Sequence, residues 1–153
     1  MCEQFENALR HYLAAFDGTN NISDPEFQAR FDNLHHQDCV LIPLKGGEIE
    51  QTFKFMCQDG PVIARKDLFD IESAALGYGT KVTLVHCRKI GLNTYDIKLR
   101  YDSHKGVSVY RFEEKISSGK VISMKEVDES ALMKFLENKL STMLHKMREV
   151  GPV

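Results

Sequence analysis

The chain has 153 residues, 27% of them charged and 42% hydrophobic, with a formal net charge of −2. That is the make-up of one globular domain large enough for a proper core, and it offers no basic field for nucleic acid or an anionic membrane surface. No apolar run approaches the ~20 residues of a membrane helix.

The opening residues Met1-Cys2-Glu3-Gln4 carry acid where a signal peptide carries base. Cys2, Cys39, Cys57 and Cys87 are widely spaced, with no Cys-x-x-Cys pair. Free thiols in a reducing, cytoplasmic compartment are the expectation.

Residues 2–17 are predicted as an amphipathic helix, because Phe5, Leu9, Tyr12, Leu13 and Phe16 recur on one helical face. Asp17-Gly18-Thr19-Asn20-Asn21 ends it. Ser23 and Glu26 have capping-box spacing, and Pro25 suits a first helical turn. The helix they open buries Phe27, Phe31 and Leu34 and ends near His35-His36. A strand is expected over residues 39–44. A second returns over residues 48–57, with Ile49, Phe53, Phe55 and Cys57 on one face. Gly60-Pro61 opens a third helix that runs to about Leu76 and stops at Gly77-Tyr78-Gly79.

Residues 81–127 then read as four strands in succession. Val82, Leu84, His86 and Arg88 share a face of the first; Tyr95, Ile97, Leu99 and Tyr101 share a face of the second. A tight turn at Gly91-Leu92 sets Arg88 opposite Tyr95, His86 opposite Ile97, Leu84 opposite Leu99 and Val82 opposite Tyr101. The apolar sides then coincide, and a slip of one residue would reverse a strand's faces. His86 is thereby expected on the apolar side. The third strand, about 107–116, presents Tyr110, Phe112 and Ile116. Ser117-Ser118-Gly119 fits a three-residue hairpin with Gly119 at positive φ. In the fourth strand, about 120–127, Met124 falls opposite Phe112 and Ile122 opposite Glu114. Glu114, among apolar neighbours, is either a sheet-margin residue or a functional one, and the margin is the reading preferred, since buried unpaired carboxylates are rare.

The last element is a helix that Asp128 can cap. Its stripe is Leu132, Phe135, Leu136, Leu140, Met143, Leu144 and Met147, and Gly151-Pro152 stops it. The chain thus divides into a domain over residues 1–127 and an amphipathic helix over residues 128–153, packed on that domain or on a partner. The fold class is α+β: a curved antiparallel sheet wrapped around N-terminal helices, plus the long C-terminal helix.

This order of elements resembles the nuclear transport factor 2-like superfamily, a cone-shaped α+β fold that includes ketosteroid isomerases and SnoaL-like polyketide cyclases. Arg10-His11-Tyr12-Leu13-Ala14-Ala15-Phe16 is similar to the first helix of the bacterial isomerases, and Gly119-Lys120-Val121-Ile122-Ser123-Met124 to their last hairpin. The resemblance covers roughly residues 5–127. It implies an oxyanion donor at Tyr12. The isomerases' aspartate base would fall at Pro43, and their second donor, a protonated aspartic acid, at or beside Phe112; no Asp occurs between residues 107 and 116. The superfamily's habit of pairing subunits through the outer sheet face implies a homodimer.

The reading that follows is an apolar pocket between the helices and the concave sheet, lined by Tyr12, His86, Tyr95, Ile97, Tyr101, Phe112 and Met124. With two of three catalytic groups missing, a non-catalytic domain binding an apolar or aromatic small molecule, or a scaffold, fits best. The alternative is an isomerase, cyclase or dehydratase with His86 as acid/base and Tyr12 as hydrogen-bond donor. A third reading is a protein adaptor working through residues 129–149. Each residue also has a plainer role: Tyr12 a core tyrosine bonded to backbone, His86 a hydrogen-bonded core histidine. His35 and His36 diverge by about 100° on a helix and would not share a metal ion easily. No metal and no cofactor is expected.

Overall fold

The computed structural model describes residues 2–57, 60, 62–128 and 139–147. Its element order is α1 (Cys2–Leu13), α2 (Asp24–Leu34), β1 (His35–Ile42), α3 (Glu48–Thr52), β2 (Ile63–Ala64), α4 (Arg65–Gly77), β3 (Lys81–Gly91), β4 (Thr94–Ser103), β5 (Gly106–Ser117) and β6 (Lys120–Glu126). A single 3₁₀ turn, Lys54–Met56, follows α3.

The first two helices follow from their apolar stripes. Phe5, Leu9, Tyr12, Leu13, Phe27, Phe31 and Leu34 are all buried. Ser23 caps α2: its hydroxyl accepts from the Glu26 amide at 3.4 Å, and Pro25 stands in the first turn. Phe16, Phe27 and Phe31 surround the Tyr12 ring at 5.5–6.0 Å between centroids. Edge and tilted contacts of this kind add to plain area burial.

The sheet has six strands in the order β2-β1-β6-β5-β4-β3. It is curved and unclosed, and it is mixed, not antiparallel as expected. β1 runs parallel to β6, with Leu41 beside Met124, and its antiparallel partner is the two-residue β2. The stretch expected as the return strand is helical. Glu48 and Glu50 lie in the first turn of α3, where acid favours a helix N-terminus. Ile49 and Phe53 are four residues apart, a spacing that fits a strand face and a helix face equally well. The next helix also starts later than Gly60-Pro61 suggested, at Arg65. Pro61 lies outside the described residues.

The β3–β4 register corrects the expected one in its second half. Val82 pairs with Tyr101 and Leu84 with Leu99, as read from the sequence. The register then shifts, so that His86 pairs with Lys98, Cys87 with Ile97 and Arg88 with Asp96. Val85 is the extra residue of this bulge. Because side chains alternate with period two, one extra residue turns everything beyond it to the other face. The turn is Leu92-Asn93, with Asn93 at φ 54, and Gly91 pairs with Thr94.

In the β5–β6 hairpin, Ser117 pairs with Lys120, which leaves a two-residue turn with Ser118 at φ 54 and Gly119 at φ 78. Both central residues are left-handed, as a type I′ turn requires. Phe112 stands opposite Glu126, and Glu114 opposite Met124. Glu114 is 2% exposed, so it is not a margin residue.

Residues 139–147 are helical. Leu140, Met143, Leu144 and Met147 are exposed there. The upstream half of the expected stripe, Leu132, Phe135 and Leu136, lies outside the described residues. Among the described residues, no helix is long and apolar enough to cross a membrane.

Candidate functional site

A cavity of about 530 Å³ lies between α3 and α4 on one side and the concave face of β4, β5 and β6 on the other. That volume suits a small organic ligand. Ile49 and Phe53 come from α3, Leu68, Ile71 and Ala75 from α4, and Leu41 from β1. Tyr101, Tyr110, Phe112 and Met124 supply the sheet wall. The Tyr101 and Tyr110 rings meet edge to face at 5.5 Å, and Phe112 lies next along the row. At the mouth, Tyr78 at the end of α4 meets His104 of the β4–β5 loop at 5.7 Å between rings. Lys105 of the same loop and Glu48 of α3 also line the cavity. Tyr110 donates to Glu48 at 3.4 Å.

Behind this cavity lies a small recess of about 10 Å³, close to one water in size. It shares Glu72, Tyr101 and Met124 with the cavity and adds Tyr12, His35 and Glu114, among others. Glu72 is carried on the buried face of α4 between Leu68 and Leu76. Glu114 is carried on the inner face of β5, two residues beyond Phe112. Burial pushes the Glu72 carboxyl up to about 7. Burial pushes Glu114 up to about 8, and the Glu72 charge adds to that rise. Desolvation disfavours the charged form, and a neighbouring like charge disfavours it further.

Tyr12 is 2% exposed, and its hydroxyl finds no hydrogen-bond partner among the described residues. Burial, and after it the Glu72 charge, raises its pKa well above the ordinary tyrosine value. His35 packs edge to face on Tyr12 at 5.2 Å and stacks on Phe31 at 4.0 Å. Its Nδ1 lies 2.9 Å from the Phe31 carbonyl, to which it can donate. Burial lowers the imidazole to about 4, so it is neutral near pH 7.

The expected pocket residues separate into three groups. Tyr101, Phe112 and Met124 line the cavity, and Tyr12 lines the recess. Tyr95 and Ile97 are buried in the core outside the cavity lining; Tyr95 packs on Phe5 at 4.6 Å. His86 is on the opposite face of the sheet. There its Nε2 lies 3.1 Å from Asp96 Oδ2, and Arg111 donates to both oxygens of the same carboxylate. Burial alone would raise Asp96; Arg111, by hydrogen bond and charge, and then His86 hold it below its ordinary value. The pairing of His86 with Tyr12 as acid and donor is therefore excluded by the bulge at Val85.

The sequence reading missed Glu72 altogether and preferred a sheet-margin place for Glu114, which lines the recess. Glu72 stands at i+4 from Leu68 and i−4 from Leu76, a spacing that puts it on their apolar face and is the signal that could have found it. Glu114 shares strand parity with Phe112, and the isomerase resemblance had pointed to an acid at or beside that residue. Among the described residues, no group of three or more His, Cys, Asp or Glu side chains could hold a metal ion.

No protein-family model matches the sequence, and none of the curated proteins matches it. Solved structures do match the fold. The de novo designed NTF2 fold protein NT-9 covers 89% of this chain and 92% of its own at a TM-score of 0.54, with 15% identity.

The chain has the nuclear transport factor 2-like fold.

A nuclear transport factor 2-like protein of unknown function from Mesorhizobium loti matches at a TM-score of 0.51 with 18% identity, covering 81% of this chain and 89% of its own. TerC, crystallised with polyporic acid, matches at 0.54 with 11% identity, covering 88% and 98%. At these identities the likeness is one of fold alone. Within this nuclear transport factor 2-like fold, α3 and α4 close the hollow of the curved sheet.

Proposed function

We propose that this chain is a small-molecule-binding domain that holds an apolar or aromatic ligand in the α3–α4 cavity without transforming it. The observation that carries this reading is the cavity itself: about 530 Å³, with aromatic rings along the sheet wall and aliphatic side chains along the helices. Such a concave apolar site with few polar groups is the usual form of a ligand pocket. That TerC, of the same fold, was crystallised with a small organic molecule supports it.

The test is a titration of ¹⁵N-labelled protein with the neutral probe 4-phenylbutanol. Amide shifts confined to α3, α4 and the inner residues of β4–β6 are expected. Ala75→Trp, which fills the cavity from α4, abolishes them while the melting curve stays cooperative. Shifts spread over the outer sheet face, or none at all, overturn the reading.

One observation favours a second reading, an acid–base enzyme of the isomerase, cyclase or dehydratase kind. Glu72, held up to about 7, stands in the cavity wall beside the recess that Tyr12 and Glu114 line. A carboxyl of that pKa can take and return a proton near neutral pH. Tyr12 and protonated Glu114 are hydrogen-bond donors of the kind that stabilise an oxyanion. In that case Glu72→Gln abolishes turnover and leaves 4-phenylbutanol binding intact.

A further inference from the structure

We infer that the cavity takes an organic cation: an ammonium group on an apolar or aromatic body, its charge seated against Glu72 and its body among Phe53, Tyr101, Tyr110 and Phe112. This rests on the binding reading above and adds a ligand class to it.

Three observations point the same way. First, two buried carboxyls from two elements, Glu72 of α4 and Glu114 of β5, line the recess behind the cavity, and Glu72 lines the cavity as well. Among the described residues, no lysine or arginine lines the recess, and in the cavity the basic groups, His104 and Lys105, sit out on the β4–β5 loop. A ligand cation supplies the missing counter-charge. Second, Tyr12, whose hydroxyl is buried and unpartnered among the described residues, lines the same recess as Glu72 and Glu114. Its oxygen can accept from an ammonium. Third, the uncharged body of the ligand would lie among the rings of Phe53, Tyr101, Tyr110 and Phe112, an apolar wall leading to the Glu72 carboxyl.

A neutral carbonyl ligand could accept from Tyr12 but would leave the Glu72 charge uncompensated. An anionic ligand would meet the Glu72 carboxylate, a group of its own sign. The titratable groups that share the recess with Glu72 are Tyr12 of α1, His35 of β1, Tyr101 of β4 and Glu114 of β5. Further out, Glu48, Tyr78, His104, Lys105 and Tyr110 line the cavity toward its mouth. Of the recess groups, His35 is neutral above about pH 4, and both tyrosines stay protonated through neutral pH. Within the recess, the carboxyls are therefore the groups that change charge between about pH 5.5 and pH 8.5.

The experiment compares 4-phenylbutylamine, 4-phenylbutanol and 4-phenylbutyrate by calorimetry and ¹⁵N shifts on the full chain. The amine stays charged throughout this range. It is expected to bind at least about tenfold tighter than the alcohol at about pH 8. Its affinity should fall about tenfold on going to about pH 5.5, with the alcohol's unchanged. Glu72→Gln brings amine and alcohol to within about threefold of each other. Equal affinity of amine and alcohol in the wild type, or tighter binding of the butyrate, overturns the cation preference and leaves the binding reading standing. Binding of none of the three overturns both. Should Glu72→Gln fail to fold, the wild-type pH profile decides alone: an amine affinity that does not change with pH rejects the cation.

Discussion

Glu72 of α4 and Glu114 of β5 approach one recess from opposite walls, and the charge on the first raises the proton affinity of the second. Both carboxyls have folded-state pKa values above the ordinary glutamate value, so their contribution to stability has a defined sign. It is fully present below the unfolded value near 4.5 and is lost as pH rises through about 7 to about 8. Each displaced unit is worth about 1.4 kcal/mol. Glu114→Gln should therefore stabilise the protein by on the order of 2 kcal/mol or more at about pH 8.5, and have a much smaller effect at about pH 4. Urea unfolding at the two pH values reads this directly; an equal effect at both would show that burial does not hold the proton.

His35 works in the opposite direction. Its folded pKa of about 4 is depressed from 6.5, so its contribution is present above about pH 6.5 and is lost as pH falls through about 4. His35→Phe keeps a ring against Phe31 and Tyr12 but removes the titration and the bond to the Phe31 carbonyl. The variant should be less stable by about 1 kcal/mol near pH 7 yet unfold at lower pH in an acid titration followed by circular dichroism. An acid midpoint unchanged from wild type would mean that His35 does not govern it.

On the outer face, Arg111 holds both oxygens of Asp96, with His86 on one of them. Asp96 is 8% exposed. Arg111→Met leaves that carboxylate without its guanidinium and should cost about 3 kcal/mol. His86→Ala should cost less, and it should leave the affinity for 4-phenylbutanol unchanged, because the bulge at Val85 separates His86 from the cavity. A loss of probe binding in His86→Ala would put the register beyond the bulge in error.

The β5–β6 turn places Ser118, a residue with a Cβ, at φ 54. Ser118→Gly removes the left-handed penalty and should stabilise by about 0.5 kcal/mol. Gly119→Ala at φ 78 should destabilise by about 1 kcal/mol through backbone strain, since the added Cβ would meet only Gln4 at an ordinary 3.6 Å. Thermal melts of the two variants should move in opposite directions.

The periodicity of α1 and α2, the Ser23 cap and the run of four strands after residue 80 could all be read from residues alone. Each is a matter of one segment's own apolar face or its own terminal hydrogen bonds. Half of the β3–β4 register was legible too, up to Leu84. What residues alone could not supply was decided between segments. Ile49 and Phe53 suit a strand or a helix, and β1 turned to β6 and β2 for its hydrogen bonds, leaving residues 48–52 to coil as α3. His86 alternates properly with Leu84, yet the chain bulges at Val85 and sets the imidazole beside Asp96 and Arg111 on the outer face. Glu72 and Glu114 each look like surface residues until α1, α4, β1 and the sheet enclose the recess that both line. A side chain's period says which face of its own element it takes; whether that face meets oil, water or another charge depends on what a distant part of the chain lays against it.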